Sequence, residues 1–261
     1  MNFYSIIGFS LSIIVFAIGL VTSTDSFSHF WDWPALLIVL GGTIAAMSTA
    51  FQFDRIVVLM KFFFSRMIFG KKVDYKTLIR EILVIADGYR KGESLESHIA
   101  KTKDDFLKDA LNLVNDNVLE GEDLYDVLDS RAENLNYLYS EEANKFKAAG
   151  KYPPAFGLMG TTIGMIVLMS NLGGADALKK VGPAMSICLA ATLYGVAIAN
   201  FFIIPIGENL VDSTRESYLK NKIIVEGVKL MVEKTNPIIL AEKLNSFLIP
   251  SKRLDWKQVN G

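Results

Sequence analysis

The chain has 261 residues, 51% hydrophobic and 21% charged, with 27 Lys and Arg against 28 Asp and Glu and a formal net charge of −1; its mean hydropathy is +0.31. Apolar residues in that proportion beside so many charges must be gathered into blocks, the profile of a membrane protein with a sizeable aqueous portion, and neither the net charge nor any basic motif interleaved with aromatics points to nucleic acid. The single cysteine, Cys188, excludes an intramolecular disulfide and a cysteine-only metal site, and its apolar surroundings predict a buried, inert thiol.

Hydrocarbon about 30 Å thick is crossed by about 20 apolar helical residues, and four uncharged runs of that order occur. The first, Phe3 to Thr22, lacks a basic leader and a small-residue cleavage site, so it reads as a retained span and not a signal peptide. The loop from Ser23 to Trp33 has no Lys or Arg and carries His29, with Trp31 and Trp33 suited to an outer aromatic belt. After the second run, Pro34 to Phe53, come Arg55, Lys61, Arg66, Lys71 and Lys72, which place the long following segment on the cytoplasmic side. Within it, Ile56 to Phe69 is apolar but interrupted by Lys61 and Arg66, and reads as an interfacial amphipathic helix. "YKTLIREILVIADGYRKG" has helical periodicity ending at Gly92, and Asp104 to Asn117 and Leu124 to Lys147 follow suit. The third run is Pro153 to Leu172 and the fourth Gly182 to Gly207, with Lys179 and Lys180 between them as a minor contrary signal and Arg215, Lys220 and Lys222 after them.

The expected fold is an all-α membrane protein: four transmembrane helices with a cytoplasmic helical domain between spans 2 and 3, and both termini in the cytoplasm. Its divisions are a first hairpin at 1–53, an interfacial helix and cytoplasmic domain at 54–152, a second hairpin at 153–207 and a cytoplasmic helical tail at 208–261.

The chemistry is defined first by absences. With only two histidines, His29 and His98, there is no His-based metal cluster, and no phosphate-binding loop, dinucleotide fingerprint or nucleophile elbow is present. No enzymatic activity and no cofactor are expected. A protein that moves ions keeps an intramembrane carboxylate, because a charge in lipid is costly, yet none of the four runs holds Asp, Glu, Lys, Arg or His. If ions cross here, the titrating group belongs to another chain.

The last two runs offer neutral polar groups and backbone irregularity instead. Pro154 sits at a tolerated place near a helix start, whereas Pro205, near the end of the fourth run, frees the Phe201 carbonyl and predicts a kink. Thr161, Thr162 and Thr192 either bond back to their own helices or line a path; Thr161 and Thr162 point about 100° apart, so at most one of them shares a path with Thr192. Gly157, Gly160 and Gly164 have the spacing that lets helix backbones approach closely. In the aqueous part, Arg90, Lys91, Glu93 and Glu96 cluster around the helix end at Gly92, either as a solvated face or as a docking site.

The strings "PPAFGLMGTTIGMIVLMSNL" and "VGPAMSICLAATLYGVAIANFFIIPIGENL" resemble the last two spans of the MotA/PomA family, the ion-channel subunit of the bacterial flagellar stator; "ADGYRKG" and the four-span layout extend the likeness over most of the chain. The resemblance implies an inner-membrane ring, a pentamer, around two copies of a MotB/PomB partner. That partner's single span supplies the ion-carrying aspartate, and ion flow drives the ring against the rotor protein FliG. By motif, Pro154 and Pro205 are similar to the family's functional prolines, Thr192 to the threonine facing the partner's aspartate, and Arg90 and Lys91 to its rotor-contacting cations. Here "GESLESH" departs from the family: Glu96 stands six residues past Arg90, nearer than the family's glutamates, and an ungapped comparison puts His98 in their place. Glu96 is preferred over Glu93 as the rotor-facing carboxylate.

Gly160-Thr161-Thr162-Ile163-Gly164 is similar to the sodium-driven members, which favours sodium over protons, with Thr161 as a transient ligand. Partly dehydrated sodium needs hard oxygen donors, which a hydroxyl and freed carbonyls supply. Two other readings stay open: a TolQ/ExbB-like subunit that powers envelope transport, and a non-conducting membrane scaffold in which Thr192 and Pro205 are dispensable.

Overall fold

The computed structural model describes residues 3–23, 30–50, 73–119, 121–173 and 177–255. His29 and the expected interfacial helix at 56–69 lie outside these residues. In chain order the helices are α1 (Phe3–Ser23), α2 (Trp33–Ala50), α3 (Tyr75–Arg90), α4 (Glu96–Ile99), α5 (Asp105–Asn115), α6 (Gly121–Ala148), α7 (Tyr152–Asn171), α8 (Ala177–Ile198), α9 (Ile204–Val232) and α10 (Pro237–Asn245). A 3₁₀ turn at Ala149–Lys151 joins α6 to α7, and a π-helical turn at Ala199–Ile203 joins α8 to α9. The described residues contain no strand. They divide into two compact units, one of Met1–Gly70 with Glu142–Val211, the other of Lys71–Glu141 with Asp212–Gly261.

Among the described residues, three helical stretches are long and apolar enough to cross a membrane, Trp33–Ala50, a window within Gly121–Asn171 and another within Lys179–Val232; Ser10–Ser23 of α1 is a shorter apolar stretch. The start of α2 is set by Asp32, whose carboxylate accepts the Ala35 N–H at 2.9 Å, with Pro34 in the first turn where its missing donor costs nothing. At the start of α8, Lys179 and Lys180 are helical and not part of a connecting loop. Pro183 lies inside the same helix.

The packing of α7 on α8 depends on small residues. A Cβ added at Gly157 would sit 2.8 Å from the Ala191 carbonyl oxygen, and one at Gly195 would sit 2.5 Å from the Pro153 carbonyl oxygen. Gly160 faces the Ala191 methyl, and Gly164 faces the Cys188 sulfur, so the glycine spacing does bring two backbones into contact. Ala190 and Ala191 of α8 also pack with Ala35 and Val39 of α2.

The second unit has an aliphatic core of its own. Ile79 and Ile82 of α3, Leu107 and Leu111 of α5, Leu128 of α6, Ile223 and Ile224 of α9 and Leu240 and Leu244 of α10 are buried together. Three of its helices begin at side-chain caps: Asp74 accepts from the Lys76 and Thr77 N–H groups, Asp104 from Leu107 and Asn236 from Ile238, satisfying otherwise orphaned donors. The chain leaves α3 through Gly92 at φ 84°, the left-handed conformation that glycine adopts without strain. Lys220 pairs with Asp104, and Lys222 with Asp129 at 2.5 Å. Asn245 closes the C-terminal segment by exchanging two 2.8 Å hydrogen bonds with the Leu254 backbone.

Two stability outcomes follow. Leu244→Ala, at a side chain with no exposed surface, should cost about 2–5 kcal/mol, read as a lower unfolding midpoint of the purified full chain in detergent, whereas Glu96→Ala on the exposed surface should leave the midpoint unchanged. Gly157→Val should drive α7 off α8 and strongly reduce the yield of folded protein, while Gly8→Ala, whose new methyl meets nothing within 4 Å, should not.

Candidate functional site

The close seam between α7 and α8 brings two threonines together. Thr161 Oγ1 and Thr192 Oγ1 are 2.5 Å apart. The Thr161 hydroxyl also lies 3.1 Å from the Gly157 carbonyl oxygen of its own helix and 2.9 Å from the Cys188 carbonyl oxygen of α8; Thr192 Oγ1 is 3.2 Å from that same Cys188 oxygen. Two hydroxyls carry two protons, so one threonine donates to the other and the second donates to a carbonyl. The result is a cluster of four oxygens on an otherwise apolar seam. The neighbouring Thr162 takes no part, since its hydroxyl donates to Leu158 of its own helix at 2.9 Å. Cys188 is buried and its thiol donates to the Thr161 carbonyl at 3.3 Å, in keeping with an inert role.

Thr192 is exposed on α8 in line with exposed Met185, Leu189 and Val196. Their spacing of four, three and four residues puts them on one helix face. This face is an apolar stripe interrupted by one hydroxyl.

The prolines do not touch the pair. Pro154 is the third residue of α7, about 10 Å along the helix from Thr161. Pro205 is the second residue of α9 and lies about 20 Å beyond Thr192. Where the sequence predicts a kink at Pro205, the backbone forms the π-helical turn Ala199–Ile203, with the Ile204 N–H reaching back to Ala199. The pyrrolidine ring clashes with the carbonyl four residues before it and offers it no donor; widening the preceding turn resolves the clash without breaking the helix.

One residue of this region has a role that the sequence reading missed. The Tyr194 hydroxyl donates to the Phe30 carbonyl and accepts the Asp32 N–H at 2.9 Å, tying α8 to the cap of α2. A tyrosine inside an apolar run was the available signal, because a buried phenol needs a polar partner for its hydroxyl.

In the second unit, the cations at the end of α3 border a groove of about 550 Å³, lined on one side by Leu83, Val84, Asp87 and Gly88 and on the other by Pro237, Ile238 and Ala241 of α10. Arg90, Lys91, Glu93 and His98 complete its rim. Asp87 holds both cations, Arg90 Nη2 at 2.9 Å and Lys91 Nζ at 2.5 Å. The hydrogen bond from Lys91, and then that from Arg90, outweigh desolvation and keep the Asp87 carboxyl below its ordinary range. Glu93 Oε2 lies 3.4 Å from His98 Nε2, both seated against Gly88. Glu96 is exposed on the first turn of α4 and is not among the groove residues. No group of three or more metal-ligating side chains occurs among the described residues.

The MotA/TolQ/ExbB proton channel family matches residues 98–222. Over essentially the whole chain, the sequence is 29% identical to Motility protein A of Borreliella burgdorferi, covering 97% of this chain and 96% of that protein. It is 30% identical to the uncharacterized protein YtxD of Bacillus subtilis, covering 97% and 91%, and 29% identical to chemotaxis protein PomA of Vibrio alginolyticus, covering 94% and 93%. The structure is similar to a chain of the flagellar MotAB stator complex from Bacillus subtilis, with a TM-score of 0.83, 26% identity and coverage of 95% and 97% of the two chains. With relatives aligned from end to end and a stator chain sharing its fold, this protein belongs to the MotA/PomA family of stator subunits.

Proposed function

We propose that the chain, with a single-span MotB/PomB-type partner, conducts ions across the bacterial inner membrane and converts their flow into torque on the rotor protein FliG. The observation that carries this reading is the Thr161–Thr192 hydroxyl pair, 2.5 Å apart, on helices whose apolar runs hold no Asp, Glu, Lys, Arg or His. Such a pair solvates an ion but cannot bind a proton reversibly near neutral pH, so the acid must come from a neighbour. The exposed stripe of Met185, Leu189, Thr192 and Val196 offers an apolar helix a place to lie, with an aspartate of that helix at the level of Thr192.

In this reading four spans put both termini in the cytoplasm, and five copies ring two partner helices. Sodium is favoured over protons because the two hydroxyls and the Gly157 and Cys188 carbonyls present hard oxygens to a partly dehydrated cation beside a carboxylate. Pro205 and its π turn permit the helix to flex beyond the ion path. Arg90 and Lys91, with Glu96 or Glu93, meet the rotor. The motility and PomA relatives favour this flagellar use over TolQ/ExbB-like envelope work.

In a strain carrying the native partner, Thr192→Ala and Pro205→Leu should each abolish or severely slow motor rotation and ion conductance while leaving the amount of membrane protein unchanged. Normal rotation in both would sink the ion-path assignment and favour the scaffold reading. Thr161→Ala should flatten the dependence of swimming speed on sodium; a parent protein whose speed ignores sodium altogether would assign the path to protons.

A further inference from the structure

The end of α3 has an unbalanced charge arrangement. Both oxygens of the Asp87 carboxylate are engaged, Oδ1 by Arg90 and Oδ2 by Lys91, so one anion serves two cations. Both cations remain substantially in solvent, Arg90 at 42% and Lys91 at 61% side-chain exposure. Each retains further N–H donors, since a guanidinium has five and an ammonium three. The other carboxylate of the rim, Glu93, lies with His98 instead. Asp87, Arg90 and Lys91 at the α3 edge of the groove therefore sum to one positive charge with free donor capacity, beside Val84 and Ile238, which are exposed at 59% and 44%.

We propose that Asp87 is an intramolecular stand-in for a carboxylate of the rotor protein: it holds Arg90 and Lys91 in place while the stator is free, and yields them to a partner helix that presents a carboxylate beside an apolar side chain. This rests on the reading of Arg90 and Lys91 as rotor-contacting residues. The incoming carboxylate takes the positions of the Asp87 oxygens, and its apolar neighbour enters the groove between Val84 and Ile238. Charge complementarity selects this occupant, because two cations with one shared anion attract a second anion and repel a basic segment.

The exchange has a low cost in both directions. Exposed ion pairs within one helix are weak in water and screened by salt, so replacing one carboxylate by another changes little in Coulomb terms, and the net gain comes from burying Val84, Ile238 and the partner's apolar group. Its neighbours hold the Asp87 carboxyl below its ordinary range, so it is charged and competes at neutral pH. Asp87 is thus a positioning residue that sharpens the contact by making it reversible.

The test uses the full chain in complex with its single-span partner, reconstituted in nanodiscs, with purified FliG as the probe. Asp87→Asn, close in shape to the parent residue, should tighten FliG binding roughly two- to fivefold, Asp87→Glu should stay near the parent value, and Val84→Asp should weaken binding roughly tenfold or more. Unchanged or weaker binding by Asp87→Asn, with Arg90→Glu still abolishing binding, overturns the stand-in while leaving the rotor reading intact. If Arg90→Glu has no effect on FliG binding, both fall. A change in the mass of the assembled complex on Val84→Asp would assign the groove to a contact between copies of the chain and likewise overturn the proposal.

Discussion

The approach of α7 to α8 leaves no room for a side chain at Gly157 or Gly195, where backbone atoms of one helix occupy the space that a Cβ of the other would need. In lipid this matters more than it would in water, because apolar side chains gain little by leaving hydrocarbon for protein and helix pairing must rely on close packing and hydrogen bonds. The seam is what places Thr161 within hydrogen-bond distance of Thr192 and of the Cys188 carbonyl. Had the helices packed through leucines, at the usual 8–10 Å between axes, the two hydroxyls would each have turned back to their own carbonyls. The oxygen cluster is therefore a product of the glycines as much as of the threonines.

A different balance governs the second unit. There the core is of ordinary aliphatic type, and polar groups act at its edges: caps at Asp74, Asp104 and Asn236 fix where helices begin, while the Lys220–Asp104 and Lys222–Asp129 pairs join α9 to its neighbours. This solid base leaves the α3 terminus free to carry exposed charges that stabilise little. The Asp87 pairs with Arg90 and Lys91 lie at the surface, apart from the buried set that includes Ile79 and Leu244.

Much of this was legible in the residues. Periodicity gave α3, α5 and α6 to within a few positions, with Gly92 and Asp104 marking an end and a start by local chemistry alone. Small-residue spacing anticipated the seam, and the angle between adjacent threonines anticipated that only one would meet Thr192. What the sequence could not supply was long-range geometry. Tyr194 reaches Phe30 and Asp32 across more than 160 positions, a link that no local pattern marks. Lys179 and Lys180 suggested a loop because charges interrupt hydropathy, yet both are good helix formers and the helix simply begins before them. Glu93 lines the groove whereas Glu96 does not, a difference that residue counting from Arg90 does not reveal.

The π turn before Pro205 has a geometric consequence of its own. On an uninterrupted α-helix, where successive residues advance by about 100°, Gly207 would lie about a third of a turn away from Gly195. A π turn absorbs one residue without advancing the face, which returns the two glycines to within about 20° of each other. They do address one continuous rod: Gly195 meets the Pro153 backbone and Gly207 the Lys147 backbone, two points on the run from α6 through the 3₁₀ turn into α7. The inserted residue acts as a phase correction, letting one glycine face track a neighbouring helix for longer than a regular helix would allow.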